Sequence, residues 1–447
     1  MDEALARSAC EVVADGVGRR DFVRAVAAVG AGVGVTGLAA GCARSGSATS
    51  ALGDVKVLQP GQGTIGGNHY LRSIPDQVLW GYVPNVHATA VLRMKSAETI
   101  TIDAVSHEGI LEDQGRNPLA YFGSKGVPRS DVLEDAVAIA SEYSRTPRNF
   151  DKDGPHVVTG PVFVEGAQPG DVLKIETLEA TPRVPYGVVS NRHGKGALAK
   201  NADGSAPAGI TIEEVMPPAG QDGRPNADPT KYRNVSTFTA VDDGLGVMRY
   251  GDKSVRFPLN PFMGMMGVAF SQDPNLTAPS SNSIPPTLGG GNIDIRLLGV
   301  GSTFYLPVFA EGALFYAGDP HLAMGNGEVA LTAMEGSLRG TFRLTVCKPG
   351  SGDAPSVAYR YPFAENADLW VPIGLSDPDG SVNGQINDLN VAMRRAVVNA
   401  LDFLEFDRGM DRATAYAYLA AAADFSVSQV VDRTVGVHGQ ISKSHFK

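Results

Sequence analysis

The sequence predicts an α+β protein that is mostly β, with a few peripheral helices and a helical pair near the C-terminus. Three observations lead there. The chain holds 53 Gly and 29 Pro in 447 residues, spread along its length, which is the composition of a turn-rich β protein. Short runs in which apolar and polar residues alternate recur from about residue 66 onward, the period of half-buried strands. Stripes at helical spacing are few. A 43% hydrophobic content suffices for a packed core, and 19% charged residues is low for a disordered chain. The net charge of −10, without any Lys/Arg run, argues against nucleic acid as a partner.

The elements follow in order. Arg19-Arg20 precedes an apolar Gly/Ala/Val stretch from about 25 to 41, which resembles a twin-arginine export signal. That stretch is short and glycine-broken for a spanning helix. Leu38-Ala39-Ala40-Gly41-Cys42 resembles a lipoprotein processing box, so Cys42 is a candidate lipidation site. Residues 1–45 are therefore expected to be a signal. The expected partner is the twin-arginine machinery, and the expected location is the periplasm or cell surface. Residues 46–65 have the composition of a flexible tether. Residues 66–447 would form the functional domain, as two β-rich halves joined by a Pro/Gly/Asn-rich middle at about 200–255.

Strands are expected at 99–105, 157–165, 172–178, 293–297, 303–308, 313–316 and 340–346. Between the second and third, Gln168-Pro169-Gly170-Asp171 has the chemistry of a type II turn, Pro second and Gly third. Helical spacing appears at 131–143 and again from Leu389 to Leu404. Gly409 can serve as a C-cap there, and Asp411 as the N-cap of a following helix to about 423. Of the cysteines, Cys10 and Cys42 fall in the leader and Cys347 in a strand-like run. No disulfide framework is available, and Cys347 reads as a buried structural thiol.

The chemistry-bearing residues gather at expected strand ends. There is no G-x-S-x-G elbow in the mature chain and no visible partner to activate Cys347. A hydrolase built from this chain would most simply activate water. His87, His107, His156, His193 and His321 lie in stretches rich in Gly, Asn, Asp or Glu. Loops at strand ends can converge on one mouth, and imidazole with carboxylate suits a divalent ion that acidifies bound water. The densest polar stretch is Gly318-Asp319-Pro320-His321-Leu322-Ala323-Met324-Gly325-Asn326-Gly327-Glu328, expected as a loop after the strand 313–316.

That stretch, followed by Thr332-Ala333-Met334-Glu335, resembles the G-D-x-H-x-x-x-G-D-G-E segment of acetamidase/formamidase proteins. The resemblance extends to Thr159-Gly160-Pro161-Val162-Phe163-Val164-Glu165-Gly166-Ala167-Gln168-Pro169-Gly170-Asp171, to Pro261-Phe262-Met263-Gly264-Met265-Met266-Gly267, and to Gly290-Gly291-Asn292-Ile293-Asp294. With matches near Gly301-Ser302 and Gln429-Val430-Val431 it covers most of residues 75–440 in order.

The resemblance implies a β-sandwich-rich fold, a homo-oligomer (dimer or higher), and hydrolysis of a small amide to carboxylate and ammonia. It also implies a divalent metal, zinc or calcium. Carried onto this chain, it makes His321, Asp294, His107 and His156 candidate metal ligands. Glu328, Asp319 and Asn292 become candidate catalytic groups, with Glu328 as general base and Asn292 steadying the oxyanion. His193, Asn326 and Gly325 are candidate substrate-binding residues. Two departures stand out: Asn326 where the family usually has Asp, and Ser106-His107 where many members carry Asp. They leave a lactam hydrolase, or an exported binding protein on the same scaffold, as alternatives.

Overall fold

The computed structural model describes residues 55–192, 195–201, 203–215, 234–271, 280–379 and 387–446. The leader with Cys42, and His193, lie outside the described residues. Two large sheets share one apolar core. The first runs in the order His69–Leu71, Thr99–Ala104, Leu338–Cys347, Val172–Pro182, Thr303–Pro307, Phe363–Glu365, Leu369–Leu375, Gly436–Ser442, Asp424–Gln429. The second runs Lys253–Pro258, Leu245–Tyr250, Asn234–Asp242, Tyr186–Arg192, Met334–Glu335, Phe315–Ala323, Phe262–Gly267, Gly290–Asn292. The strand Val157–Glu165 branches from Phe315–Ala323 and pairs in turn with Val78–Trp80 and Leu92–Lys95. Ile100, Ile102, Ile175, Phe342 and Leu344 of the first sheet meet Met263, Met266, Phe315 and Ala317 of the second, all essentially inaccessible to solvent.

The mostly β, α+β reading holds, as do most of its elements. The strand 157–165 is found at those bounds. The turn after it closes with the Asp171 N–H on Gln168 O at 3.0 Å, with Gly170 at φ +95°. The C-terminal helical pair is Leu389–Arg408 and Arg412–Ala422. Gly409 ends the first helix at φ +68°, and Asp411 caps the second by accepting from Thr414 N. The longer helix packs on the strand Leu369–Leu375 through Ala392 and Ala396. Contact is close enough that a Cβ on Gly374 would fall 2.1 Å from Ala392 O. Cys347 is buried and unpaired, and burial pushes its thiol up to about 11.

Four expectations change. Residues 293–297 are not a strand: Asp294 adopts φ +47°, which breaks the extended backbone just after Gly290–Asn292. The strand expected at 313–316 is Phe315–Ala323, so the polar stretch at 318–323 is a strand in mid-sheet rather than a loop. Its polar residues are there for the site, against strand propensity. The Pro/Gly/Asn-rich middle contains the strands Asn234–Asp242, Leu245–Tyr250 and Lys253–Pro258. Finally, residues 55–65 are held rather than tethering. Leu58 N donates to Arg183 O, Gln59 Nε2 donates to Val132 O, and Arg339 Nη1 donates to Gln62 O and Thr64 O.

A buried charge network fixes the strand that leads into the site. Arg339 and Asp103 face each other across Leu338–Cys347 and Thr99–Ala104, paired at 2.6 and 2.9 Å. Tyr70 OH donates to the same carboxylate at 2.6 Å, and Arg183 Nη2 stands 3.7 Å from it. Removing one member would leave a buried carboxylate short of its main partner. Arg339→Met is expected to lower unfolding stability by about 3–5 kcal/mol in denaturant titration. A loss under about 1 kcal/mol would show that the pair does not anchor this strand.

Candidate metal centre

Strand ends and one mid-strand kink bring the candidate residues together. His107 and Glu108 follow the strand Thr99–Ala104, and His156 immediately precedes Val157–Glu165. Asp319 and His321 lie within Phe315–Ala323, and His321 pairs across the sheet with Glu335 of Met334–Glu335. Asp294 follows Gly290–Asn292, and Glu328 lies between Phe315–Ala323 and Met334–Glu335. Asp432 comes from the turn between Asp424–Gln429 and Gly436–Ser442. That turn is tied to the Glu328 loop, since Gly327 N donates to Ser428 O at 2.9 Å and Val430 N to Gly327 O at 3.2 Å.

His321 Nε2 donates to Asp319 Oδ2 at 3.0 Å and lies 3.2 Å from Glu335 Oε1. It is also 3.9 Å from both Asp294 Oδ1 and Glu328 Oε1. The second Asp319 oxygen stands 3.5 Å from His107 Nδ1 and 3.8 Å from His156 Nε2. The His107 and His156 rings meet edge to face at 5.6 Å, and His107 Nε2 is 3.6 Å from Glu108 Oε1. His156 Nδ1 shares a hydrogen bond with Ser283 Oγ at 2.9 Å, which leaves Nε2 turned to Asp319. Ligand atoms of His107, His156 and Asp319 all lie within 4.8 Å of one another, as do those of Asp294, His321 and Glu328, and of Asp319, His321 and Glu335.

Burial sets the electrostatics. It pushes Glu328 well above the usual carboxylate range, with Asp294 adding to the shift, and pushes Asp294 up in the same way, with Asp432 adding. Asp432 is raised first by burial and then by Glu328. For Asp319 burial is also the largest influence, yet the imidazoles of His321, His156 and His107 outweigh it and hold the carboxyl well below its usual range. Burial lowers the His156 imidazole to about 4.

Several buried polar atoms have no hydrogen-bond partner among the described residues: both nitrogens of His107, both oxygens of Asp294, Asp319 Oδ1 and His321 Nδ1. Such atoms are costly to bury unsatisfied. Here His107 Nδ1 and Asp319 Oδ1 face each other and Asp294 Oδ1 faces the His321 ring, and the buried acids Glu108, Asp294, Asp319, Glu328, Glu335 and Asp432 outnumber the three imidazoles. A divalent cation satisfies both conditions, and His107, His156 and Asp319 supply a two-imidazole, one-carboxylate donor set suited to one. The residues present fit the metal that the family resemblance implies.

The backbone is shaped for this arrangement. Asp294, Asp319 and Glu328 all hold φ between +45° and +51°, a region that non-glycine residues avoid. Gly264 lies beneath Asp294, Asp319 and His321. A Cβ there would sit 2.4 Å from Asp294 Oδ1, 2.5 Å from His321 Cε1 and 2.8 Å from Asp319 Oδ2.

Of the remaining candidates, Asn292 is buried with Nδ2 donating to Ile284 O at 3.0 Å and Oδ1 unpartnered among the described residues. Gly325 is exposed, and Asn326 is half-buried with its Oδ1 enclosed. His87 is exposed and apart from the cluster, while His438 is buried against Ser428. Sequence reading missed Glu335, Glu108 and Asp432. Glu335 stood inside the quoted motif and Glu108 beside His107, but Asp432 carried no local signal.

The acetamidase/formamidase family model matches residues 139–281 and 272–438, more than half of the chain. The chain belongs to the acetamidase/formamidase family. It is 26% identical to an acetamidase of Mycolicibacterium smegmatis over 218 residues, 41% of this chain and 51% of that protein. It is 27% identical to a putative formamidase of Schizosaccharomyces pombe over 229 residues, 46% of this chain and 55% of that protein. The chain thus spans about half the length of these curated relatives. The crystal structure of an acetamidase from Bacillus halodurans matches with a TM-score of 0.58 at 21% identity, covering 84% of this chain and 98% of that one. An acetamidase from Yersinia enterocolitica matches with a TM-score of 0.58 at 21% identity, covering 89% and 96%. These likenesses extend the family's fold to nearly the whole described chain.

Gly264→Ala is expected to leave far-UV circular dichroism unchanged while weakening zinc or cobalt(II) binding at least tenfold in calorimetric titration, because the added methyl displaces Asp294 and Asp319. Unaltered affinity would mean that the three residues beneath which Gly264 lies do not set the metal site.

Proposed function

We propose that this chain is an amidase that hydrolyses a small carboxamide to a carboxylate and ammonia, at a divalent metal held by His107, His156 and Asp319. Zinc is the ion the donor set suits best. The observation that carries the reading is the ring of buried, mutually facing and unpartnered ligand atoms around Asp319 in a member of this family. When bound, the metal supplies Lewis acidity, lowering the pKa of water toward 7 and polarising the amide carbonyl.

The chain's own residues do the rest. Glu328, with its proton affinity raised by burial and by Asp294, takes a proton from the attacking water. The water oxygen bonds to the amide carbon, and the C–N bond then breaks. The nitrogen leaves as ammonia, carrying the proton that Glu328 returns. Asn292 keeps one amide hydrogen beyond that given to Ile284 and steadies the carbonyl oxygen as charge develops. In this reading Asp319 positions and binds rather than acting as a base, because its oxygens are already directed at His321 and at the His107–His156 pair. His321 is in turn fixed by Glu335.

Ammonia release from short aliphatic amides, with amino-acid formation from lactams followed alongside, tests the reading. Release should stop on chelation and return with zinc; chelator-indifferent turnover would remove the metal from the mechanism. Glu328→Gln should lower kcat by about 10²–10⁴-fold, the range for loss of a general base. Near-normal turnover in that variant would take Glu328 out of the role.

A further inference from the structure

A cavity of about 140 Å³ is lined in part by neighbours, along the chain, of the metal-centre residues. It is close to the roughly 150 Å³ void that holds a benzene in an engineered protein core, so it accommodates a body of about six heavy atoms. Three of its walls connect directly to the site's residues along the chain. Tyr316 shares the strand Phe315–Ala323 with Asp319 and His321, and Asn282 precedes Ser283, the partner of His156. Arg433 follows Asp432. Val83, Phe270, Pro285 and Tyr316 make much of the lining apolar, and Arg433 is the one charged residue lining it among the described residues.

Arg433 is placed there by construction. Its backbone holds φ +64°, unfavourable for a long side chain. The turn that enforces this is braced by the fully buried Gln429, whose Oε1 accepts from Val431 N at 2.9 Å and Asp432 N at 3.1 Å. Gln429 Nε2 donates to Thr434 O at 2.7 Å. The turn therefore gives two adjacent residues different places, Asp432 in the carboxylate cluster and Arg433 in the cavity wall. Arg433 makes no hydrogen bond or ion pair with any described residue.

Resting on the amidase reading, we propose that the substrate is an amide that also carries a carboxylate, of the class of dicarboxylic acid monoamides, and that Arg433 binds that carboxylate. A guanidinium presents paired donors matching a carboxylate's two oxygens. Lys195, a second cation within electrostatic reach of Arg433, does not line the cavity, and a lining with a single cation suits a singly charged carboxylate better than a phosphate. The apolar walls suit the short carbon spacer between the two ends. The charge arrangement also orients the substrate. The buried acids Asp294, Glu328 and Asp432 offer an anion no partner, whereas Arg433 does, so the carboxylate end stays at Arg433 and the amide end is left for the metal centre.

The test compares succinamate with butanamide, its uncharged counterpart of equal chain length, on the full-length zinc-loaded protein. Calorimetric binding and ammonia release are both read. The native protein should favour succinamate over butanamide by about 10- to 100-fold, the range for a charge-assisted hydrogen-bond pair. Arg433→Ala should bring that ratio close to one. Arg433→Gly, which suits the backbone but removes the cation, should do the same, and Arg433→Lys should keep part of the preference. Equal affinity for the two amides in the native protein, or a preference that survives in Arg433→Ala, would overturn the proposal. Arg433-dependent succinamate binding without ammonia release from any amide would leave the anion site standing and remove the amidase reading instead.

Discussion

Asp319 is held between three imidazoles, one oxygen hydrogen-bonded to His321 and the other facing His107 and His156. Around it the burial of Glu108, Asp294, Glu328, Glu335 and Asp432 places far more negative charge in a dry interior than the histidines offset. Buried carboxylates are tolerated only when paired, protonated or bound to a cation. The fold resolves this unevenly. Asp319 is kept ionised by its imidazoles, while Asp294, Glu328 and Asp432 are raised by burial and by one another. That contrast divides the residues between binding and proton transfer, because a group held ionised suits a ligand and a group with high proton affinity suits a base.

Much of the surrounding architecture exists to hold these groups still. Asp294, Asp319 and Glu328 occupy left-handed backbone that costs of order 1–3 kcal/mol each, which persists only where neighbours over-determine it. The neighbours are identifiable. Sheet pairing on both sides fixes Phe315–Ala323, the ladder from Gly327 to Ser428 and Val430 fixes the Glu328 loop, and Ser283 fixes the His156 ring. The Asp103–Arg339 pair, with Tyr70 and Arg183, holds the strand whose continuation presents His107 and Glu108.

Much of this was legible in the sequence, for different physical reasons in different places. Alternation and turn chemistry located the strands because both are local properties of the chain, as at Val157–Glu165 and the turn at Gly170. The helix capped at Gly409 was readable for the same reason. Local rules misplaced the polar stretch at 318–323, which reads as loop because strand propensity takes no account of a buried site. His107, His156, Asp294, His321 and Glu328 were candidates from their residue types and motif. His87 was one on equal grounds and lies elsewhere.

By itself the sequence determined the β-dominated class, the family and the stretch that holds the chemistry, because periodicity, turn residues and motifs act over short separations. Only the tertiary structure decided which residues meet. It joined His107 and His156 to Asp319 across more than 160 positions, placed Glu335 against His321, and brought Asp432 and Arg433 to two sides of one turn. Those meetings depend on sheet order and on buried bracing groups such as Gln429, and the long-range pairing that sets them leaves no period in the chain.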